Sequence, residues 1–355
     1  GNVDNISQIY SVYAGPSYAT NVGPVAVGAS YLAGYTKVES PSFVGVGPGQ
    51  PRFDYYDTAF NQSAGISAGV RPGQVLPVGL TASAGWDRED AGQLDGRYEG
   101  WRVRGDALLP VSPYVALTAG VGYERIETSN RPALTNAAGQ PVVDGDGRFV
   151  TNSAAPRQIA YRTDGVYYDA GVVWRPNRRV SAEARVGKRF GSISYSGLAT
   201  YQASEHVGMA ASVYDSVTTF GQQLRNGLQQ LPTSFISARD AFTQQFNGCV
   251  FSTSGATPGG CLNDVFQSIQ TASYRARGVD AVLSASYGRT RFGIGGGYAN
   301  RRFNAPRGAP GAVFFGVEDQ SAYAQAFWGR DLSRRSTLDL TVFGNWSSSG
   351  LSGLN

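Results

Sequence analysis

Side chains able to do chemistry are scarce in this sequence: two cysteines and one histidine among 355 residues. Cys249 and Cys261 enclose Val-Phe-Ser-Thr-Ser-Gly-Ala-Thr-Pro-Gly-Gly. Two thiols around a Gly/Ser/Thr-rich segment read as a disulfide in an exported protein. A metal pair would need further ligands, and no histidine lies near. His206, beside Glu205, lacks the Ser and Asp of a nucleophilic triad and reads as a solvated turn residue. Asp144-Gly-Asp-Gly-Arg148 resembles a fragment of a calcium loop without the further acidic ligands or the closing Glu. Gly293-Ile-Gly-Gly-Gly297 has the composition of a phosphate loop, but no Lys and no helix follow it. These residues give no catalytic constellation, no metal site and no cofactor site, so the chain is not read as an enzyme.

The remaining candidates are charges and aromatics, and their meaning depends on the elements that carry them. Residues 113–126 read PYVALTAGVGYERI, with Val115, Leu117, Ala119, Val121 and Tyr123 at every second place. Period two is the mark of a strand whose faces meet different surroundings. Forty-seven glycines and twenty tyrosines suit turns and strands, since glycine weakens helices. The pattern predicts about fourteen strands, at 6–19, 25–39, 59–70, 76–88, 97–109, 113–127, 159–174, 179–189, 192–202, 206–218, 274–287, 290–302, 319–331 and 336–347. Short connections alternate with long ones: 40–58, 89–96, 128–158, 219–273 and 303–318 are the long set, and only the link near Phe190 to Ser192 is a brief member of it. The short turns therefore lie at one end of the strands, as in an outer-membrane barrel with unequal ends.

On several strands the face opposite the apolar one carries charge: Arg102, Arg104 and Asp106 on one, Glu183, Arg185 and Arg189 on another. Mid-strand charges need water, so a transmembrane up-and-down antiparallel β-barrel with lipid outside and a polar lumen satisfies both faces. The arginines read either as a basic stripe attractive to anions or as cations paired with Asp106 and Glu183. Tyr35, Trp86, Tyr123, Trp174, Tyr298, Trp328 and Trp346 close apolar series and read as an interfacial aromatic girdle. Gly293, Gly295 and Gly297 share the polar face, which leaves room inside for something bulky. A net charge of +4 spread over the chain gives no support for nucleic-acid binding. No apolar run reaches the ~20 residues of a membrane-crossing helix.

The chain reads as one domain over 1–355. If the short turns are periplasmic, both ends of the sequence lie on the external side, which predicts further strands and a complete barrel of about sixteen or more. The long external loop 219–273 is expected to carry short helices at Thr219 to Leu231 and Ala238 to Phe246, with Phe242 and Phe246 four apart, together with the disulfide. A loop of that length is a lid, a constriction or a docking surface.

Tyr214-Asp-Ser-Val-Thr-Thr-Phe-Gly-Gln-Gln-Leu224 resembles the strand-end signature of the PEP-CTERM system-associated outer-membrane β-barrel proteins, which are linked to exopolysaccharide genes. Gly187-Lys-Arg-Phe-Gly191 and Tyr274-Arg-Ala-Arg-Gly278 are similar to barrel segments of that family, whereas Phe220-Gly221 departs from its Thr-Arg. The resemblance implies an association with polysaccharide export or surface organisation. Two readings follow. One is a bacterial outer-membrane channel, porin-like or serving exopolysaccharide export, contacting lipid and passing small hydrophilic solutes or a polysaccharide strand. The other is a structural or docking barrel with a blocked lumen, whose external loops hold another envelope protein.

Overall fold

A computed structural model of the chain describes residues 8–39, 56–145, 148–239, 246–262, 265, 272–304, 306 and 316–350. One antiparallel sheet of fifteen strands dominates it. Its strands are β1 (Gln8–Ala14), β2 (Ser17–Val22), β3 (Val25–Glu39), β4 (Thr58–Val70), β5 (Gly79–Ala91), β6 (Arg97–Pro110), β7 (Val115–Asn130), β8 (Gln158–Asn177) and β9 (Val180–Arg189). They continue as β10 (Ser192–Gln202), β11 (Val207–Thr218), β15 (Tyr274–Tyr287), β16 (Thr290–Phe303), β17 (Glu318–Ser333) and β18 (Ser336–Ser349). Between β11 and β15 lie helix α1 (Phe220–Gln230) and a separate small sheet of β12 (Ile236–Arg239), β13 (Phe246–Phe251) and β14 (Gly259–Cys261).

Each strand of the large sheet pairs with its sequence neighbour, apart from the opening. There β1 pairs with the distal half of β3 and β2 with its proximal half, so the two act as one interrupted strand. Proline has no N–H to give a ladder and is tolerated on an edge. Pro16 sits at the interruption, its carbonyl accepting from Tyr31 N–H at 3.0 Å. Counting β1 and β2 together leaves the fourteen strands that the period-two pattern predicts. The tight turns reverse at glycines such as Gly23 (φ 59°) and Gly288 (φ 56°), a backbone state other residues reach only with strain.

The faces separate as the alternation requires. Val121, Val166 and Ile193 are 57%, 68% and 70% exposed on the convex side, whereas Thr118, Glu124, Asp87 and Glu89 are buried on the concave side. A water-soluble protein has no means of leaving so many valines, leucines and isoleucines in solvent while burying carboxylates. Hydrocarbon around the convex face removes the conflict, and strands that cross a bilayer in this meander are those of an outer-membrane β-barrel. The sheet curls far enough for Tyr31 of β3, Tyr167 of β8 and Val217 of β11 to line one cavity of about 600 Å³ together with α1.

The described ends of the second helix expected in the long loop are strands. Ala238 lies in β12 and Phe246 in β13, and the residues between 239 and 246, Phe242 included, lie outside the described residues. At the described ends Arg239 pairs with Phe246, and the β-branched Val250 beyond suits the strand that β13 forms between β12 and β14.

Candidate functional site

The described parts of the 219–273 segment fold back into the concave side of the sheet. It begins with a capped helix: Thr219 has extended backbone, and its Oγ1 accepts from Gln222 N–H at 3.2 Å. The same hydroxyl donates to Glu89 Oε2 of β5 at 2.5 Å. Gly221 makes this approach possible, since a Cβ there would stand 2.7 Å from Glu89 Oε2 and 2.5 Å from the Tyr56 hydroxyl. One turn on, Arg225 Nη2 donates to Asp87 Oδ1 at 3.1 Å. Phe220 and Leu224 bury themselves among Val38, Tyr56, Ala59, Leu262 and Val265, and the Tyr56 and Phe220 rings meet edge-on at 4.8 Å. Burial pushes the Tyr56 hydroxyl well above its ordinary range. On the opposite wall the Tyr274 hydroxyl donates to Gln223 Oε1.

The disulfide joins Cys249 and Cys261, which face each other across β13 and β14. It rests on β16, where a Cβ on Gly295 would lie 2.7 Å from Cys261 Sγ and one on Gly293 2.3 Å from the Phe251 ring. Phe251 stacks on Phe327 of β17 at 6.2 Å, and Gln325 Oε1 accepts from Cys249 N–H at 3.1 Å. The glycine stripe is therefore a groove cut to the width of the hairpin. Beyond it, Gly255 N–H donates to Glu205 O at 2.9 Å. That carbonyl belongs to the β10–β11 turn, so the segment leaves β11 at the long-loop end and reaches the short-turn end. His206 is exposed in the same turn.

The lumen charges are paired, the second of the two arrangements the sequence left open. Arg104 donates to Asp106 at 2.7 Å and to Asp169 at 2.6 Å. Arg185 reaches Glu183 at 2.6 Å and both of those aspartates, at 2.8 and 3.2 Å. Arg189 forks onto Glu124 at 2.6 Å, and Arg102 donates to Asp87 at 3.1 Å. Arg104 and Arg189 also lie over the Tyr167 ring, at 5.6 and 5.0 Å. Antiparallel pairing explains the ladder: Arg104 faces Gly122, Asp169 faces Gly120 and Gly187, and Asp106 faces Gly120, so long cations bridge strands over glycines. Sequence reading supplied Asp106 and Glu183 as partners. It missed Asp87, Glu124 and Asp169 as such, although their parity already put them on the polar face.

All seven girdle aromatics point to the convex side, at two levels. Trp86 faces Trp101 across β5 and β6, and Trp101 lies 5.5 Å from Tyr123. Outward charges begin just beyond them toward the long loops, with Arg88 on Asp90 at 2.6 Å and Arg125 near Glu127 at 3.7 Å. Tyr35 has Lys37 and Glu39 beyond it in the same way, and Tyr298 shares a level with Trp346 through Ala322. Trp174 and Trp328 instead stand close to the short turns, Trp174 opposite Val115 and Trp328 beside Phe292 and Leu340. Two levels are what the two faces of a bilayer require. In the calcium-like fragment Asp144 Oδ1 accepts from Arg148 N–H at 2.9 Å, and Asp146 and Gly147 lie outside the described residues.

No family model matches the chain, and no curated protein matches it. Among solved structures it is similar to the copper transporter OprC, at 9% identity over 97% of this chain and 52% of that one, with a TM-score of 0.41. The siderophore receptor PirA from Pseudomonas aeruginosa matches over 97% and 57% at 9% identity, TM-score 0.40. BamA from Haemophilus ducreyi lacking POTRA domains 1-3 matches over 97% and 70% at 9% identity, TM-score 0.32. The chain thus spans 52% and 57% of the first two proteins' lengths.

Proposed function

We propose that this outer-membrane barrel is a restricted conduit, passing hydrated solutes or a polysaccharide strand through a lumen that its own 219–273 segment narrows. One observation carries the reading: the segment runs from the Glu89–Thr219 contact at one end of the lumen to the Gly255–Glu205 contact at the other. A polar wall of paired charges and tyrosines surrounds what space remains, with a cavity of about 600 Å³ under α1. Such a wall solvates a hydrated cargo without holding a counter-ion in place. The likeness of 214–224 to the exopolysaccharide-linked signature supports a saccharide cargo, because that stretch forms the strand end and helix start that turn the segment inward.

The fastening of the segment by a disulfide supports the second reading, a docking barrel whose lumen stays shut and whose loops hold an envelope protein. Single-channel recording in a planar bilayer separates the two. Ohmic current that rises when residues 220–272 are deleted is expected for a conduit; silence of both forms, with folding verified by heat-modifiable migration, would leave the docking role.

A further inference from the structure

Among the described residues, arginines without a carboxylate partner gather at the short-turn end of the barrel, whereas at the long-loop end Lys188 alone stands so. Arg71 follows β4, Arg175, Arg178 and Arg179 surround the β8–β9 turn, Arg289 stands in the β15–β16 turn, and Arg330, Arg334 and Arg335 surround the β17–β18 turn. All eight are exposed. Among the described residues none has a carboxylate within ion-pair distance, in contrast to the lumen arginines and to those near the long loops. Arg175 and Arg179 reach only neutral oxygens, Ser181 Oγ at 3.2 Å and Ala203 O at 3.4 Å. The acidic residues of these turns are Glu205 and Asp331, and Asp331 is taken by Arg291 at 2.9 Å.

These cations border the apolar band. Arg289 sits two places from Tyr287, 64% exposed, whereas Arg175 turns from the outward Trp174 to Ser181 Oγ on the face of Glu183 and Arg185. Arg330 occupies the next outward position after Trp328, with Leu332, 55% exposed, beyond it. Arginine beside an interfacial aromatic extends its stem along the hydrocarbon and leaves its guanidinium at the level of the phosphates. A soluble acidic partner would need no such apolar border. We propose that this rim binds the phosphates of anionic phospholipid headgroups in the leaflet at the short-turn end. The proposal rests on the membrane-spanning barrel and is independent of whether the lumen conducts.

The test is lipid retention by the full chain, released from nanodiscs of mixed phosphatidylglycerol and phosphatidylcholine and measured by native mass spectrometry. Phosphatidylglycerol should be retained over phosphatidylcholine by roughly fivefold, the factor one favourable cation contact gives. The preference should fall toward parity at about 1 M salt, where the screening length is ~3 Å. It should also fall in the variant R178S/R179S/R334S/R335S, whose folding is checked by heat-modifiable migration; if that variant does not fold, the salt response of the native chain decides. Equal retention of the two lipids by the native chain, or an unchanged preference in the folded variant, overturns the proposal. So does capture of polyglutamate by the detergent-solubilised protein without any lipid preference, which would identify an acidic protein partner instead. Current through a barrel lacking lipid preference would defeat this inference alone, and lipid preference in a silent barrel would defeat the conduit alone.

Discussion

Gly295 sits where β16 meets the disulfide, with room for a hydrogen and for nothing larger. A Cβ there would come within 2.7 Å of Cys261 Sγ and 2.8 Å of Cys249 Sγ. Neither sulfur can rotate away, because each is held by the other. Gly295→Val is therefore expected to push β13 and β14 off the wall, exposing the hairpin to limited proteolysis and raising conductance. Gly344→Val is the control, since a Cβ at Gly344 meets nothing within 4 Å. Equal protease resistance in the two variants would show that the groove does not seat the hairpin. Gly221 plays the matching part under α1, where the sequence departs from the signature it otherwise resembles.

The inward segment is fastened in separate places, so its elements should come loose separately. Closing the loop between Cys249 and Cys261, a sequence separation of 12, contributes about 3 kcal/mol through lost disorder of the unfolded chain. None of the large sheet's strands depends on that bond. The pair Cys249→Ser/Cys261→Ser should keep heat-modifiable migration while its hairpin becomes cleavable, and α1 should stay docked through Arg225–Asp87 and Thr219–Glu89. Loss of barrel migration in that variant would mean that hairpin and sheet fold as one unit. The sequence marked α1 through its amide-rich amphipathic spacing. Over 238–246, where two phenylalanines four apart suggested a helix, the described ends are strands paired with each other, Arg239 opposite Phe246, and the residues between them lie outside the described residues.

Across the whole molecule, the two faces of the sheet should answer differently to an added polar group. Val121 is 57% exposed on the convex side, and Val121→Arg places a charge near the bilayer midplane at a cost of about 2–4 kcal/mol. Ser194 pairs opposite Gly187 on the lumen side, where water receives an added polar group, so Ser194→Gln should cost less than ~1 kcal/mol. Urea titration of folding into lipid vesicles measures both. Equal costs would contradict lipid on the convex side.

What the sequence determined alone was local and periodic. A period of two fixes which side chains share a face, tight turns fix which strands are neighbours, and small residues on one face announce a bulky occupant. Fourteen strands, an apolar exterior, the cysteine pairing and the glycine groove all follow from patterns within a few dozen residues. Only tertiary structure decided which charges meet, because Arg104 with Asp169 and Arg225 with Asp87 join residues 65 and 138 positions apart through the curl of the sheet. The same curl carried the described parts of the long loop inward and paired the lumen's charges, leaving the short-turn arginines without carboxylate partners among the described residues.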